Sequence, residues 1–161
     1  MFAASDLHNA TKAELYRELA LQCGSLVDEE TDPIANMANC AALIFNSVPR
    51  LNWAGFYLLK GAELVLGPFQ GRPACVRIAL GRGVCGTAAA TQSTLRVGDV
   101  TKFPGHIACD SASRSEIVLP LLTEHSQLIG VLDVDSPELD RFDADDEAGL
   151  SVIAGIIARK I

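Results

Sequence analysis

Thiols and carboxylates are the side chains of this sequence with the most chemistry to offer. Cys109 lies in Phe103-Pro104-Gly105-His106-Ile107-Ala108-Cys109-Asp110, an irregular stretch in which no helix or strand core explains a cysteine. His106, in the same stretch, can polarise that thiol if the loop is turned. Cys85 falls in Gly81-Arg82-Gly83-Val84-Cys85-Gly86, at the expected first turn of a helix. There, unpaired N–H groups and the helix dipole favour an anion and can lower a thiol pKa. A small buried apolar residue is an equal reading of the same position. Asp133 and Asp135 alternate along a strand, which puts them about 6.5–7 Å apart on one face with Ile129 and Val131. Two acids beside an apolar stripe resist ionising together, and burial can raise a carboxyl pKa toward neutrality, so that it becomes a proton donor. The competing reading is a solvated strand end running into Ser136-Pro137. Glu116 opens the neighbouring strand, and a third acid in one place would favour a site.

Other patterns carry less. The segment 81–86 also matches G-x-G-x-x-G, but a dinucleotide site needs a parallel βαβ unit and a later acid, and neither is visible. Zinc needs three or four ligands, and His106 with Cys109 supplies two. His8 and His125 read as surface residues. Cys75, taken alone, and Cys23 and Cys40 on the first two helices read as small core residues.

The elements that must position these groups follow from periodicity. Residues 11–26 read as a helix with Leu15, Leu19, Cys23 and Leu26 on one stripe. Asp32-Pro33 caps a second helix to about residue 48, with Ile34, Met37, Ala38, Ala41 and Phe45 on its apolar face. The period then changes to two. Residues 51–59 read as a strand with Trp53, Gly55, Tyr57 and Leu59 on one face. Further strands are expected at 63–66 and 75–80, separated by Gly67-Pro68-Phe69-Gln70-Gly71. A short helix at 83–92, a short strand at 94–97 and a loop at 100–110 follow. Residues 116–123 and 127–135 form a hairpin, and Asp143 caps a last helix with the stripe Leu150, Ile153, Ile157 and Ile161. Helices at both ends of hairpin-linked strands predict an α+β fold around an antiparallel sheet.

The chain has 161 residues, 49% of them hydrophobic and 20% charged, with a formal net charge of −7. Such a composition excludes a disordered chain and suits one domain. The acidic balance, with no basic stripe, argues against a nucleic-acid partner. No apolar run reaches the roughly 18 residues of a membrane span, and the start lacks the pattern of a secretory leader. The five cysteines are then expected as thiols in a reducing compartment.

Several motifs occur in a specific order: Asn52-Trp53-Ala54-Gly55-Phe56-Tyr57, Gly67-Pro68-Phe69-Gln70-Gly71 through Ala74-Cys75, and Gly83-Val84-Cys85-Gly86. The 103–110 stretch, Ser115-Glu116-Ile117-Val118 and Gly130-Val131-Leu132-Asp133-Val134-Asp135-Ser136 complete the series. Together they resemble the free methionine-(R)-sulfoxide reductases, a catalytic branch of the GAF-domain superfamily, most strongly over 51–142. The resemblance implies a GAF-like α+β domain over 1–161, a central antiparallel β-sheet with N- and C-terminal helices packed on it and a closed pocket under the loops. It implies a cytoplasmic homodimer with no metal and no organic cofactor. It implies that Cys75, Cys85 and Cys109 do the redox work. Of these Cys109 is assigned as nucleophile with Cys75 and Cys85 as resolving thiols, and the helix-start position makes Cys85 the alternative attacking thiolate. Trp53 and Tyr57 resemble the walls of the substrate pocket, and Glu116, Asp133 and Asp135 the acids that hold the sulfoxide oxygen and the amino group. Free methionine (R)-sulfoxide is then the substrate. Thiolate attack on sulfur, protonation of the oxygen, a sulfenic acid, a disulfide and re-reduction by thioredoxin make up the expected cycle. The alternatives are a non-catalytic GAF sensor of a small ligand and a thiol redox sensor without turnover.

Overall fold

Each long helix starts where a short polar side chain can satisfy its free N–H groups. In the computed structural model, which describes residues 10–107 and 110–161, α1 (Lys12–Val27) opens on a capping box. The Thr11 hydroxyl accepts from Glu14 N, and Glu14 Oε2 accepts from Thr11 N at 2.9 Å. Asp32 caps α2 (Pro33–Ser47), with Pro33 at the first helical position. Asp143 caps α4 (Ala144–Ala158), and Asp146 reaches back to the Asp143 N–H. The Asp32 and Asp143 caps agree with those expected from sequence, while Thr11, expected as the first helical residue, is itself a cap.

Between the helices run β1 (Trp53–Lys60), β2 (Glu63–Gly71), β3 (Arg77–Ala79), α3 (Gly83–Thr91), β4 (Leu95–Val97), β5 (Ser115–Leu122) and β6 (Leu128–Ser136). Among the described residues the strands form one sheet in the order β3-β2-β1-β6-β5-β4, with every neighbouring pair antiparallel. A parallel βαβ unit is therefore absent from this sheet, and Gly83 and Gly86 serve close packing instead. A side chain at Gly86 would run into the Ala79 carbonyl, and Gly83 sits at φ +60° against Ile107.

The sheet has a core on each face. Ala54, Phe56, Ile117, Leu119, Leu132 and Val134 meet α1, α2 and α4. On the other face Trp53, Tyr57, Val118 and Val131 pack with Val84 and Ala88 of α3. The strict alternation along β1 is what sends Trp53 and Tyr57 to the α3 side.

Four expectations need correction. β2 does not stop at residue 66 but continues to Gly71, because a bulge opposite Gly55–Tyr57 absorbs Gly67-Pro68 and lets Phe69 pair with Gly55. A bulge leaves one residue unpaired, which suits a proline that has no N–H to donate. The strand expected at 75–80 is only Arg77–Ala79, so Cys75 precedes it. A second irregularity, between Leu121 and Leu122, pairs Gly130 and Leu128 with successive residues of β5. Ile129 accordingly packs on the helix-side core, while Leu128 joins Val131 on the α3 side. Finally, Ile34 is exposed, and the stripe that α2 buries includes Met37, Cys40, Ala41 and Ile44.

The start of β1 is tied to α1 and α4 by a charged knot. Asp146, fully buried, accepts from Tyr16 Oη at 2.8 Å, Lys12 Nζ at 2.6 Å and Arg141 at 3.0 Å. Arg141 also donates to the Pro49 carbonyl at 3.1 and 3.2 Å. Ser136 Oγ donates to the Arg50 carbonyl at 2.7 Å, and Ser115 Oγ to the Glu138 carbonyl at 2.7 Å. Helices α1 and α4 thereby fix the turn that feeds β1.

Candidate functional site

Sheet register alone brings three acids together. Asp135 pairs with Trp53 of β1 on one side and with Glu116 of β5 on the other. Asp133 pairs with Gly55 and Val118 in the adjacent row. Gly55 matters because it has no side chain: a Cβ there would come within 2.6 Å of the Trp53 ring and 2.8 Å of the Phe69 backbone. In that space Trp53 stacks on Phe69 at 5.3 Å and on Tyr57 at 6.0 Å between ring centroids. The polar tips of the wall hold the loop after β2: Trp53 Nε1 donates to the Arg72 carbonyl at 3.1 Å, and Tyr57 Oη to the Cys75 carbonyl at 3.0 Å.

This wall and the acids line one cavity, closed by Cys85 of α3 and by Ile78 and Ile107. Trp53, Tyr57, Cys85, Glu116, Asp133 and Asp135, singled out from sequence, thus meet in one place. Cys75 lies beside them through its carbonyl and is disulfide-bonded, whereas Cys23, Cys40 and Cys85 are free. Cys109 falls outside the described residues. Cys23 and Cys40 are far from this chemistry in the fold, meeting Sγ to Sγ at 3.0 Å in the helix-side core.

Electrostatics set the proton inventory. Glu116 and Asp133 are buried and Asp135 is part-buried at the cavity wall, so the reading of a solvated strand end is corrected. Burial and then the neighbouring charges of Asp133 and Asp135 push the Glu116 carboxyl well above its ordinary value. Burial raises Asp133 to about 6, offset by hydrogen bonds from Cys85, Glu116 and the Val134 N–H. Asp135 is raised by burial and by Asp133, against an opposing hydrogen bond from Ser113. The cluster therefore holds protons at neutral pH and shares them unequally.

Cys85 behaves opposite to the expectation for a helix start. Burial, then Asp133 and Glu116, hold its thiol well above the usual range. A half charge at the helix end loses to complete desolvation and two facing carboxyls. Its Sγ lies 3.7 Å from Glu116 Oε1. The Cys85, Glu116 and Asp133 ligand atoms all fall within 4.8 Å of one another, three donors that a divalent ion could bridge. His106 lines the cavity, and burial lowers its pKa toward the neutral imidazole.

Two contributors escaped the sequence reading. Asn52 Nδ2 donates to Asp110 Oδ2 at 3.1 Å and to Ser113 Oγ at 2.9 Å, and Ser113 in turn bonds Asp135. Asn52 thus ties the segment after residue 109 to the acid cluster. Its position before Trp53 was the available signal; Ser113 had none.

The GAF-domain family model matches residues 14–161. The chain is 54% identical over 139 residues to the free methionine-R-sulfoxide reductase of Escherichia coli, covering 86% of this chain and 84% of that one. A structure of a free methionine-R-sulfoxide reductase from Neisseria meningitidis, in complex with its substrate, is 50% identical. Its TM-score is 0.88, with 98% of this chain and 92% of that one covered. A structure from Burkholderia vietnamiensis, provisionally described as a GAF sensor, is 60% identical with a TM-score of 0.91 over 94% of this chain and 96% of that one. By fold, register and these likenesses, the chain belongs to the GAF-domain family, in the branch that holds the free methionine-R-sulfoxide reductases.

Proposed function

We propose that this chain reduces free L-methionine (R)-S-oxide to L-methionine. The observation that carries the reading is the convergence of an aromatic wall, Trp53 and Tyr57, with three carboxyls on one cavity beside a disulfide-bonded cysteine. A free amino acid sulfoxide presents a methyl group, a polar S–O and an ammonium. The aromatic faces suit the methyl group, a protonated carboxyl suits the oxygen, and an ionised carboxyl suits the ammonium. The likeness to named reductases supports the same substrate.

The cycle assigns Cys109 as the attacking thiolate and Cys75 as resolving thiol. The thiolate of Cys109 bonds to the sulfoxide sulfur while a carboxyl proton moves to the oxygen. Transfer of that oxygen to the cysteine sulfur releases methionine and leaves a sulfenic acid, so methionine sulfur is reduced by two electrons and the cysteine is oxidised by two. A second thiol displaces hydroxide, leaving as water, and forms a disulfide. Thioredoxin, a dithiol, then exchanges with that disulfide and carries the oxidation away. The reading further places residues 1–161 as one catalytic unit, acting as a cytoplasmic homodimer in oxidative-stress repair.

A thioredoxin-coupled assay following NADPH with the separate R and S epimers of free methionine sulfoxide tests this. NADPH consumption with the R epimer alone is expected, and silence with both overturns the reading. The sensor reading is favoured by the Burkholderia likeness; it predicts ligand binding by calorimetry with no NADPH consumed.

A further inference from the structure

Cys85 is a cysteine whose surroundings suit a role other than disulfide exchange. Its side chain is buried on α3, facing the carboxyls of Glu116 and Asp133, with all three polar atoms within 4.8 Å of one another. It is a free thiol while Cys75 is in a disulfide. Asp133 Oδ1 is buried with no hydrogen-bond partner, so the cluster has acceptors to spare and few donors. A neutral S–H in such a place is a donor; a thiolate would add a charge to a site already holding carboxylates.

We infer that Cys85 works as a positioning residue, whose S–H donates into the Glu116–Asp133 carboxyl pair, and that it does not resolve the sulfenic acid. The inference rests on the proposed reductase activity. Donation from Cys85 stabilises the ionised form of its acceptor, and so helps decide which carboxyl keeps the proton destined for the sulfoxide oxygen. The direction of the thiol's own titration agrees, since burial and the facing acids keep the proton on sulfur.

Serine keeps a donor at this position but no thiol, and alanine keeps neither, so the two readings separate. Wild type is first shown to turn over the R epimer, because failure there overturns the reductase reading and not this one. Cys85→Ala is expected to lose about tenfold or more in kcat/KM, the worth of a hydrogen bond to a charged group. Cys85→Ser recovers most of that loss. In wild type treated with one equivalent of substrate, then denatured and alkylated, peptide mass spectrometry finds Cys85 carrying the alkyl label and outside every disulfide. Equal losses in the serine and alanine variants, equal retention in both, or Cys85 recovered in a disulfide would each overturn the proposal. If the alanine variant melts well below wild type, the serine rescue and the mass spectrometry still decide.

Discussion

At the scale of single residues, Cys85 shows which force wins when a helix terminus competes with burial. The helix end offers about half a charge to a thiolate, while full desolvation and two carboxyls oppose it. The thiol stays protonated. A protonated thiol is a poor nucleophile, which is in keeping with the attacking role proposed for Cys109. Cys109→Ser is therefore expected to abolish methionine formation even in a single turnover without external reductant, while Cys85→Ser still forms methionine in that turnover. Quantifying methionine by amino-acid analysis checks both. A burst from Cys109→Ser and none from Cys85→Ser would reverse the assignment.

At the scale of elements, the site depends on contacts made far from it. Asp146 is buried and serves Lys12, Tyr16 and Arg141 at once, and Arg141 holds the Pro49 carbonyl at the entrance to β1. Removing one partner of a buried ion cluster leaves an uncompensated charge and costs about 3–5 kcal/mol. Asp146→Ala is accordingly expected to lower the melting temperature by roughly 6–20 °C, with Asp146→Asn, which retains an acceptor, falling between. A melt within 2 °C or so of wild type would show that the knot contributes little. The same elements show what a sequence can and cannot disclose. The Asp32 and Asp143 caps, the period-two run of β1 and the β5–β6 hairpin are local, and each was legible in the order of residues. The bulges were not, since Pro68 reads as a break until Gly55 across the ladder gives Phe69 somewhere to pair. One bulge likewise moves Ile129 to the opposite core. The acids were legible as a pair in one strand and a third in its neighbour, but their burial was not. Burial depends on α3 and on loops remote in sequence, as does the Asn52–Ser113 tie.

For the whole molecule, gathering three carboxyls inside a fold has a consequence for stability with a definite sign. A carboxyl whose pKa is raised on folding stays protonated in the native state while the unfolded chain ionises, so the unfolded state binds fewer protons and stability falls as pH rises. For Asp133 the window runs from about 4 in the unfolded chain to about 6 in the fold. Glu116 and Asp135 shift in the same direction and extend the decline further. Carboxyls lowered on folding, such as Asp143 at its helix cap and Asp99, act oppositely, but their contribution is complete once the unfolded groups have ionised, near pH 5. His106, lowered by burial, acts in the opposite sense to the three acids, adding stability as pH rises toward the ordinary imidazole value of about 6.5. The net expectation is a melting temperature that declines between pH 5 and pH 8. Asp133→Asn, neutral in both states, removes a penalty of about 2–3 kcal/mol at the upper end. That variant should melt higher than wild type at pH 8, match it more closely at pH 5, and lose turnover, as expected where a site is held against its own stability. Calorimetric melts of both proteins at the two pH values test this. A wild-type melt that rises from pH 5 to pH 8, with no gain in the variant at pH 8, would mean the three acids ionise as freely in the fold as outside it.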